Sequence, residues 1–384
     1  MIKKMPVKLI LHNIRILDFT WALAGPYATR LLADFGAEVI KIQPMLSSES
    51  DDALAQGYYD TWNRNKVGIT LNMNKPEGVA LAKRLAAVCD AVVENFTPRV
   101  MANWGLDYAS LKRIKPDIIM VSMSVMEQNS NKSYYSGYGP TVHALSGMTR
   151  LTSFPGKPPL GPGFSYADHV AGLFASIALL GALEERFKTG KGQHIDISEL
   201  EVMKSLLEGA ESGPMGNSSS AAAPHNVYRC KGENRWCAIT VFTGEEWLGL
   251  KKALGNPAWA EDKKFAAPSG RLQNRDALDV LITNWTQQHT TGEVMSLLQK
   301  NGVAAGIVQD AANLAKDPRL KARGFFIKNK GIPLVDAMPI RMSESAAEYR
   351  REVPSPGQDN AYIYGKLLGI SRREMAELKK KGII

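Results

Sequence analysis

The residue with the strongest claim to chemistry is Asp168, set in Gly163-Phe-Ser-Tyr-Ala-Asp168-His-Val-Ala-Gly172 at the head of a long apolar stretch, Val170 to Phe187. A carboxylate at a helix start behind a Gly-rich loop has two readings. It caps the helix, because an Asp side-chain oxygen accepts a hydrogen bond from an unpaired first-turn N–H. Alternatively it is a nucleophile, since a carboxylate attacking an activated acyl group gives an intermediate that a second nucleophile resolves. The pattern alone does not separate them. Two histidines, His143 and His169, stand nearby in the chain. Cys89, Cys230 and Cys237 form no Cys-x-x-Cys pair, which argues against a disulfide framework or a structural zinc site, and no metal is expected.

The elements that must hold such a site follow from periodicity. Arg15 to Phe19 reads as a buried strand, Gly25-Pro26 opens a helix that runs to Gly36, and Glu38 to Ile42 reads as the next strand. The alternation continues with a helix from Pro76 to Cys89, a strand at Ala91 to Glu94, a helix at Tyr108 to Ile114, and strands at Ile118 to Ser122 and Gln193 to Ile197. Such β-α-β repetition predicts an α/β fold with a parallel sheet covered by helices. Gly190 or Gly192 is expected to end the apolar helix. The run Gly213 to Pro224 is small, polar and flexible, and reads either as an interdomain linker or as a loop over the site, with Gly213 to Ser220 the candidate lid. The expected division is a large domain at 1–212, completed by 330–384, and a small α/β domain at 213–329.

Composition narrows the partners. The 384 residues carry a formal net charge of +9, with 45% hydrophobic and 22% charged residues, as in an ordinary globular protein. A basic surface attracts anions, among them phosphorylated small molecules. The densest basic run, Lys379-Lys380-Lys381, sits at a helix end, so nucleic acid is not expected. No signal peptide and no segment with the apolar length of a membrane span is expected, and the expected location is the cytoplasm. The first strand-to-helix turn reads Trp21-Ala-Leu-Ala-Gly25-Pro26 and lacks the Gly-x-Gly-x-x-Gly fingerprint, which removes the support for a nicotinamide dehydrogenase.

Segments spread over most of the chain decide more. Ile16-Leu-Asp-Phe19, Ala24-Gly25-Pro26, Leu32 to Ile42, Asn63-Arg-Asn-Lys66, Ile69-Thr-Leu71, Lys75-Pro-Glu-Gly78, Val93-Glu-Asn-Phe96, Gly105-Leu-Asp-Tyr108, Tyr166 to Gly172, Thr189 to Gln193 and Asp317 to Leu320 occur in the order of one family. The chain resembles the class III coenzyme A transferases of the formyl-CoA and carnitine-CoA transferase type. That resemblance implies a Rossmann-like large domain, a small α/β domain and an interlocked ring homodimer. It also implies transfer of coenzyme A between carboxylic acids through an aspartyl anhydride and an aspartyl-CoA thioester. Coenzyme A and its acyl esters are then substrates, with no tightly bound cofactor.

The same resemblance places the nucleophile on Asp168 and coenzyme A contacts on Leu23 and Ala24, on Leu71, Asn72, Met73 and Asn74, and on Asn95, Phe96 and Thr97. Arg99, Asn103 and Tyr138 complete the expected set. The sequence departs from the family at Gln43 and Pro44, where an acidic and a basic residue are usual, and at Asn103, where an arginine often lies and Arg99 is the candidate substitute. Trp21, Tyr27, Tyr58, Tyr59, Trp62, Tyr134, Tyr135 and Tyr138 are candidates to line an acid pocket or to fill core and interface. Two rival readings remain. An α-methylacyl-CoA racemase would pair Asp168 with a histidine, but the racemase position falls on Tyr138, a poor base at neutral pH, leaving His143 to revive that reading if it faced the substrate. The other is a non-catalytic acyl-CoA-binding subunit of a heteromer.

Overall fold

The computed structural model describes residues 9–45, 53–129, 131–207, 219–327 and 334–384, with the first four residues of helix α2 described by their backbone alone. The chain divides into two compact units. The first comprises 1–149, 161–208 and 324–384, and the second 150–160 and 209–323. Residues 150–160, which the sequence reading had within 1–212, thus cluster with the second unit, and the linker expected from Gly213 lies largely outside the described residues.

In the first unit the order is β1 (Arg15–Asp18), α1 (Ala24–Asp34), β2 (Glu38–Gln43), α2 (Ala53–Asn63), β3 (Val67–Thr70), α3 (Pro76–Ala87), β4 (Ala91–Glu94), α4 (Arg99–Asn103), α5 (Tyr108–Ile114), β5 (Ile119–Ser124), α6 (Gly139–Ser146), the short α7 (Met148–Leu151), whose last two residues belong to the second unit, α8 (Tyr166–Thr189), β6 (His194–Ser198) and α9 (Glu199–Leu207). Six parallel strands pair in the order β3-β2-β1-β4-β5-β6. β4 and β5 are buried along their whole length, as parallel strands covered on both faces must be. Because β1 pairs with both β2 and β4, the chain reverses direction across the sheet there. The loops after β1 and β4 therefore open a crevice at the carboxyl edge, where ligands of open α/β sheets bind.

One buried ionic cluster fixes the β1 end of that crevice. The Asp18 carboxylate, fully buried, accepts from Thr20 N at 2.8 Å, Thr29 Oγ1 at 2.7 Å, Lys66 Nζ at 3.0 Å and Lys41 Nζ at 3.3 Å. Lys66 also donates to the Pro26 carbonyl and to Asn63 Oδ1. Burial alone would raise the Asp18 carboxyl, but the two ammonium groups and the Thr20 and Thr29 hydroxyls hold it well below the usual carboxylate range. Four elements are thereby tied to the loop that leads into α1.

α8 was expected from Val170, and it begins four residues earlier. Gly190 ends it in the left-handed conformation, φ 70°, and its N–H closes on the Arg186 carbonyl at 2.8 Å. Its length and mean hydropathy of 1.4 are those of a membrane span, contrary to the sequence expectation that no segment reaches that length. The reason is packing. Val170, Ala171, Ala175, Leu179 and Ala182 join the core with α1 and the sheet, and Leu173, Phe174, Ile177, Leu180 and Phe187 lie exposed.

The C-terminal segment returns to the first unit. A wide helical segment, Ala361–Leu367, and α17 (Arg372–Lys380) replace the continuous helix expected from Asp359 to Lys381, the break falling at Gly369, φ 69°. Ile363, Tyr364, Ile370, Ile383 and Ile384 pack into the core with β1, β2 and α3. A two-stranded antiparallel ladder, β10 (Phe326–Ile327) with β11 (Val335–Asp336), belongs to the same unit.

The second unit holds an antiparallel sheet of β7 (His225–Arg229), β8 (Trp236–Thr240) and β9 (Ala304–Ile307). Its helices include α10 (Gly244–Ala253), α13 (Arg275–Thr286) and α14 (Thr291–Lys300), and α10 and α14 each start in a capping box, Thr243 with Glu246 and Thr290 with Glu293. No residue expected to touch coenzyme A lies in it.

Replacing Asp18 by Asn removes the counter-charge of two buried lysines, both lowered by burial and Lys66 to about 7, so each must lose its proton or stay unpaired. The expected loss is about 3–5 kcal/mol of unfolding free energy in urea. A loss under about 1 kcal/mol would show that Lys41 and Lys66 find other partners.

Candidate active site

Asp168 is the third residue of α8, not its cap. Ser165 occupies the cap position, and the helix begins at Tyr166. The capping reading is therefore corrected: the carboxyl lies inside the first turn, where the positive end of the helix dipole favours a negative charge. It is 7% exposed, and Oδ2 is buried with no hydrogen-bond partner. Burial drives its pKa up from the ordinary carboxylate value, against the opposing pull of its own backbone N–H, of His169 and of the Gly139 N–H.

Two glycines let this carboxyl sit where it does. A Cβ on Gly139, the first residue of α6, would lie 2.4 Å from Asp168 Oδ2 and 2.9 Å from Ser165 Cβ. Gly172, one turn along α8 from Asp168, would place a Cβ 2.7 Å from the Ala24 carbonyl oxygen and 2.9 Å from the Tyr27 ring. The Asp-x-x-x-Gly spacing thus has a physical content, because residues four apart share a helix face and only glycine lets that face meet α1 so closely.

A chain of contacts runs from Asp168 to the expected coenzyme A residues. Tyr138 precedes Gly139, is 59% exposed, and stacks edge-on against Trp21 with ring centroids 6.1 Å apart. The Trp21 backbone is held on both sides by Asn95, its N–H donating to Oδ1 at 2.9 Å and its carbonyl accepting from Nδ2 at 2.9 Å. Asn95 thereby clamps the loop after β1, which carries Leu23 and Ala24, to the loop after β4, which carries Phe96 and Thr97. Ala22, between them, takes φ 56°, a left-handed conformation that costs a non-glycine residue energy. At the foot of the second loop Phe96 N–H donates to Glu94 Oε2 at 2.8 Å, and burial pushes the Glu94 carboxyl up to about 7.

The remaining expected contacts lie further out. Leu71 is buried, Met73 packs against the core, and Asn74 is exposed. Asn72 holds the C-terminus, its N–H and Nδ2 donating to the Ile383 and Gly382 carbonyls at 2.8 and 3.0 Å. Arg99 and Asn103 stand four apart at the two ends of α4, both exposed. Gln43 turns inward, donating to the Pro354 carbonyl and to the Tyr59 hydroxyl, while Pro44 is exposed.

The aromatic residues divide. Tyr27, Trp62 and His169 form a mutual cluster with centroids 5.1–5.4 Å apart, joined by Tyr58 and Phe164. Tyr58 bonds Ser165 and lies within the field of Asp168. Tyr134 and Tyr135 stack on each other at the surface, apart from this group. His143 is buried, and its Nε2 accepts the Ala167 N–H at 3.1 Å, so its basic lone pair is spent on the first turn of α8. Sequence reasoning missed this role and also missed Glu199, a buried carboxyl at the start of α9 that feels the charge of Asp168.

A family model for CoA-transferase family III matches residues 11–360. The chain belongs to that family. Succinyl-CoA–D-citramalate CoA-transferase of Chloroflexus aurantiacus is 32% identical over 397 residues, spanning 97% of this chain and 98% of the relative. The alpha subunit of succinyl-CoA–L-malate CoA-transferase, also of Chloroflexus aurantiacus, is 32% identical over 402 residues, spanning 98% and 93%. Among solved structures, a CAIB/BAIF family protein from Brucella suis superimposes with a TM-score of 0.85 at 31% identity, covering 93% of this chain and 99% of that one. As a family III CoA-transferase, the protein is an enzyme that moves coenzyme A between an acyl-CoA and a carboxylic acid.

Gly139→Ala tests the fit of the carboxyl. The new methyl displaces Asp168, and a shift of about 1 Å at a reacting group costs on the order of 100-fold in turnover. Crowding against Ser165 Cβ at 2.9 Å is expected to cost about 1–3 kcal/mol of unfolding free energy in urea beside that loss of turnover. A wild-type kcat in this variant would detach the chemistry from the observed carboxyl position.

Proposed function

We propose that Asp168 is the covalent nucleophile of the transfer. The observation that carries this reading is its buried carboxyl, with an unpartnered oxygen, at the positive end of α8 and joined through Gly139, Tyr138, Trp21 and Asn95 to the crevice between β1 and β4. The carboxylate oxygen attacks the thioester carbon, the C–S bond breaks, and its electron pair leaves on the coenzyme A sulfur. The thiolate then attacks the acyl carbon of the aspartyl side of the mixed anhydride, releasing the donor acid and leaving an aspartyl thioester. The acceptor acid repeats the two steps in reverse. Backbone N–H groups at the α8 and α6 starts are suited to the oxyanions that form on the way.

Coenzyme A is proposed to lie along Leu23 and Ala24, Asn95 to Thr97 and Tyr138, with Leu71 to Asn74, Arg99 and Asn103 serving its distal end. The relatives' names support succinyl-CoA as donor and a small dicarboxylic acid as acceptor. Tyr27, Tyr58, Trp62, Phe164 and His169 are the candidate lining for the acid. The racemase alternative loses support because His143 has committed its free nitrogen to Ala167.

We further propose a cytoplasmic homodimer, interlocked as in the resemblance. The exposed apolar face of α8 supports a second copy, and three buried free cysteines support a reducing compartment. The alpha-subunit relative favours a heteromer as the alternative, and the native mass of the purified protein decides between them.

Asp168→Ala is expected to lower transfer from succinyl-CoA by at least about 10⁴-fold. Unfolding free energy should be unchanged or higher, because the variant removes a buried polar atom that lacks a partner. Hydroxylamine added during wild-type turnover should leave a hydroxamate at residue 168 by mass spectrometry. Retention of turnover in the variant, or a trapped acyl group elsewhere, would refute the assignment.

A further inference from the structure

Glu199 has no role in the reading so far, and its surroundings give it one. β6 delivers it as the first residue of α9, which packs on α8 and α6. Its neighbour Leu200 packs with Met203, Val142 and Ala167 in one small apolar cluster, and Ala167 is the neighbour of Asp168. Glu199 stands one turn before Met203 on the same face of α9, so that face meets the start of α8, and Glu199 and Asp168 are 6% and 7% exposed. Among the described residues neither carboxyl is in an ion pair, and that of Glu199 has no hydrogen bond.

We propose that Glu199 is a positioning residue for the transfer, a neutral carboxyl partner that leaves the pair a single negative charge and keeps that charge on Asp168. The inference rests on Asp168 being the nucleophile. Burial disfavours a second negative charge beside the first, and a carboxyl without a cation is the one that holds a proton. The groups facing the pair leave Glu199 without a counter-charge. His143 on α6 has its pKa lowered by burial and its Nε2 occupied, and the His169 ring on α8, with Nδ1 2.7 Å from the Ser165 carbonyl, acts on Asp168. Asp196 on β6 is exposed and accepts from Gln128 N–H instead. Glu201 and Lys204 on α9 itself are exposed.

The choice of which carboxyl is neutral follows from the two environments. Asp168 is faced by two backbone N–H groups and by His169, whereas burial and then the charge of Asp168 push Glu199 up to about 8. As the Asp168 oxygen bonds to the thioester carbon, negative charge moves onto the tetrahedral oxyanion and then onto sulfur. An ionised Glu199 would set a second negative charge against that oxyanion and raise the barrier. A neutral Glu199 avoids this. The sign is therefore fixed: wild-type acylation falls as pH rises through about 8.

The test compares Glu199→Gln with wild type, using succinyl-CoA and following both kcat/KM from pH 6.5 to 9.5 and the mass of the aspartyl-CoA adduct. Gln cannot ionise, so the ratio of variant to wild-type kcat/KM should rise about tenfold between pH 7 and pH 9. Glu199→Asp, which keeps an acid, should retain the alkaline fall. Should Glu199→Gln fail to fold, Glu199→Met supplies the same non-ionising comparison. A ratio that stays constant over the range overturns the proposal, because a residue that only packs α9 changes rates without changing the profile. An adduct on the Asp168 peptide with a constant ratio sinks Glu199 alone, while absence of any wild-type adduct sinks the nucleophile reading with it.

Discussion

Taking a carboxyl group out of water without giving it a cation is the costly arrangement around which the first unit is organised. An oxygen left without a partner in the interior forfeits about 1–3 kcal/mol. The fold accepts that loss at Asp168 and stabilises the position indirectly. Ser165 begins the helix three residues earlier, His143 accepts the Ala167 N–H just ahead of the carboxyl, and two glycines remove the side chains that would collide with it. Each of these contacts holds backbone, and none neutralises the charge. The result is a carboxyl fixed in place by its scaffold and left chemically uncommitted.

Sheet topology turns that local arrangement into a site. The reversal at β1 places the loops after β1 and β4 side by side, and Asn95 welds them through both polar groups of Trp21. Trp21 in turn supports Tyr138, one residue from the glycine that faces Asp168. Residues scattered over more than a hundred positions of sequence thus meet because parallel strands put all their carboxyl ends on one edge. The aromatic cluster of Tyr27, Trp62 and His169 closes another side, since α1 carries Tyr27 on the face that Gly172 allows α8 to approach.

Much of this was legible in the sequence because it rests on short-range rules. The alternation of buried strands and helices pointed to the parallel sheet, and of the two glycines expected to end α8 it is Gly190 that does so, whereas Asp168 was singled out by resemblance. β3 went unread as a strand because Val67 to Thr70 is only four residues with a glycine inside. Asp168 was assigned to the edge of its helix because Ser165, which makes no side-chain cap bond, gives no stronger local signal. Glu199 was invisible for a different reason. It follows a strand as an ordinary acidic first-turn residue would, and only the packing of α9 on α8 brings it under the influence of Asp168. The eight candidate aromatics separated for the same cause, since stacking partners are chosen by the fold and not by spacing along the chain.

Asp18 and Asp168 make the chemical logic explicit, because both are buried aspartates in the same unit and their surroundings are opposite. Asp18 is saturated by two ammonium groups and two hydroxyls, which hold it ionised and remove any tendency to react. A carboxylate that must carry an acyl group loses its charge in every catalytic cycle, and a buried lysine beside it would then be stranded at a cost of several kcal/mol. Backbone N–H dipoles cause no such penalty, since they favour the anion while remaining tolerable next to a neutral ester. The net charge of +9 draws anionic substrates toward the protein at long range, but it is screened within about 8 Å at physiological ionic strength and does not set the reactivity of one carboxyl. That reactivity is set locally, by leaving Asp168 without a lysine or arginine partner among the described residues.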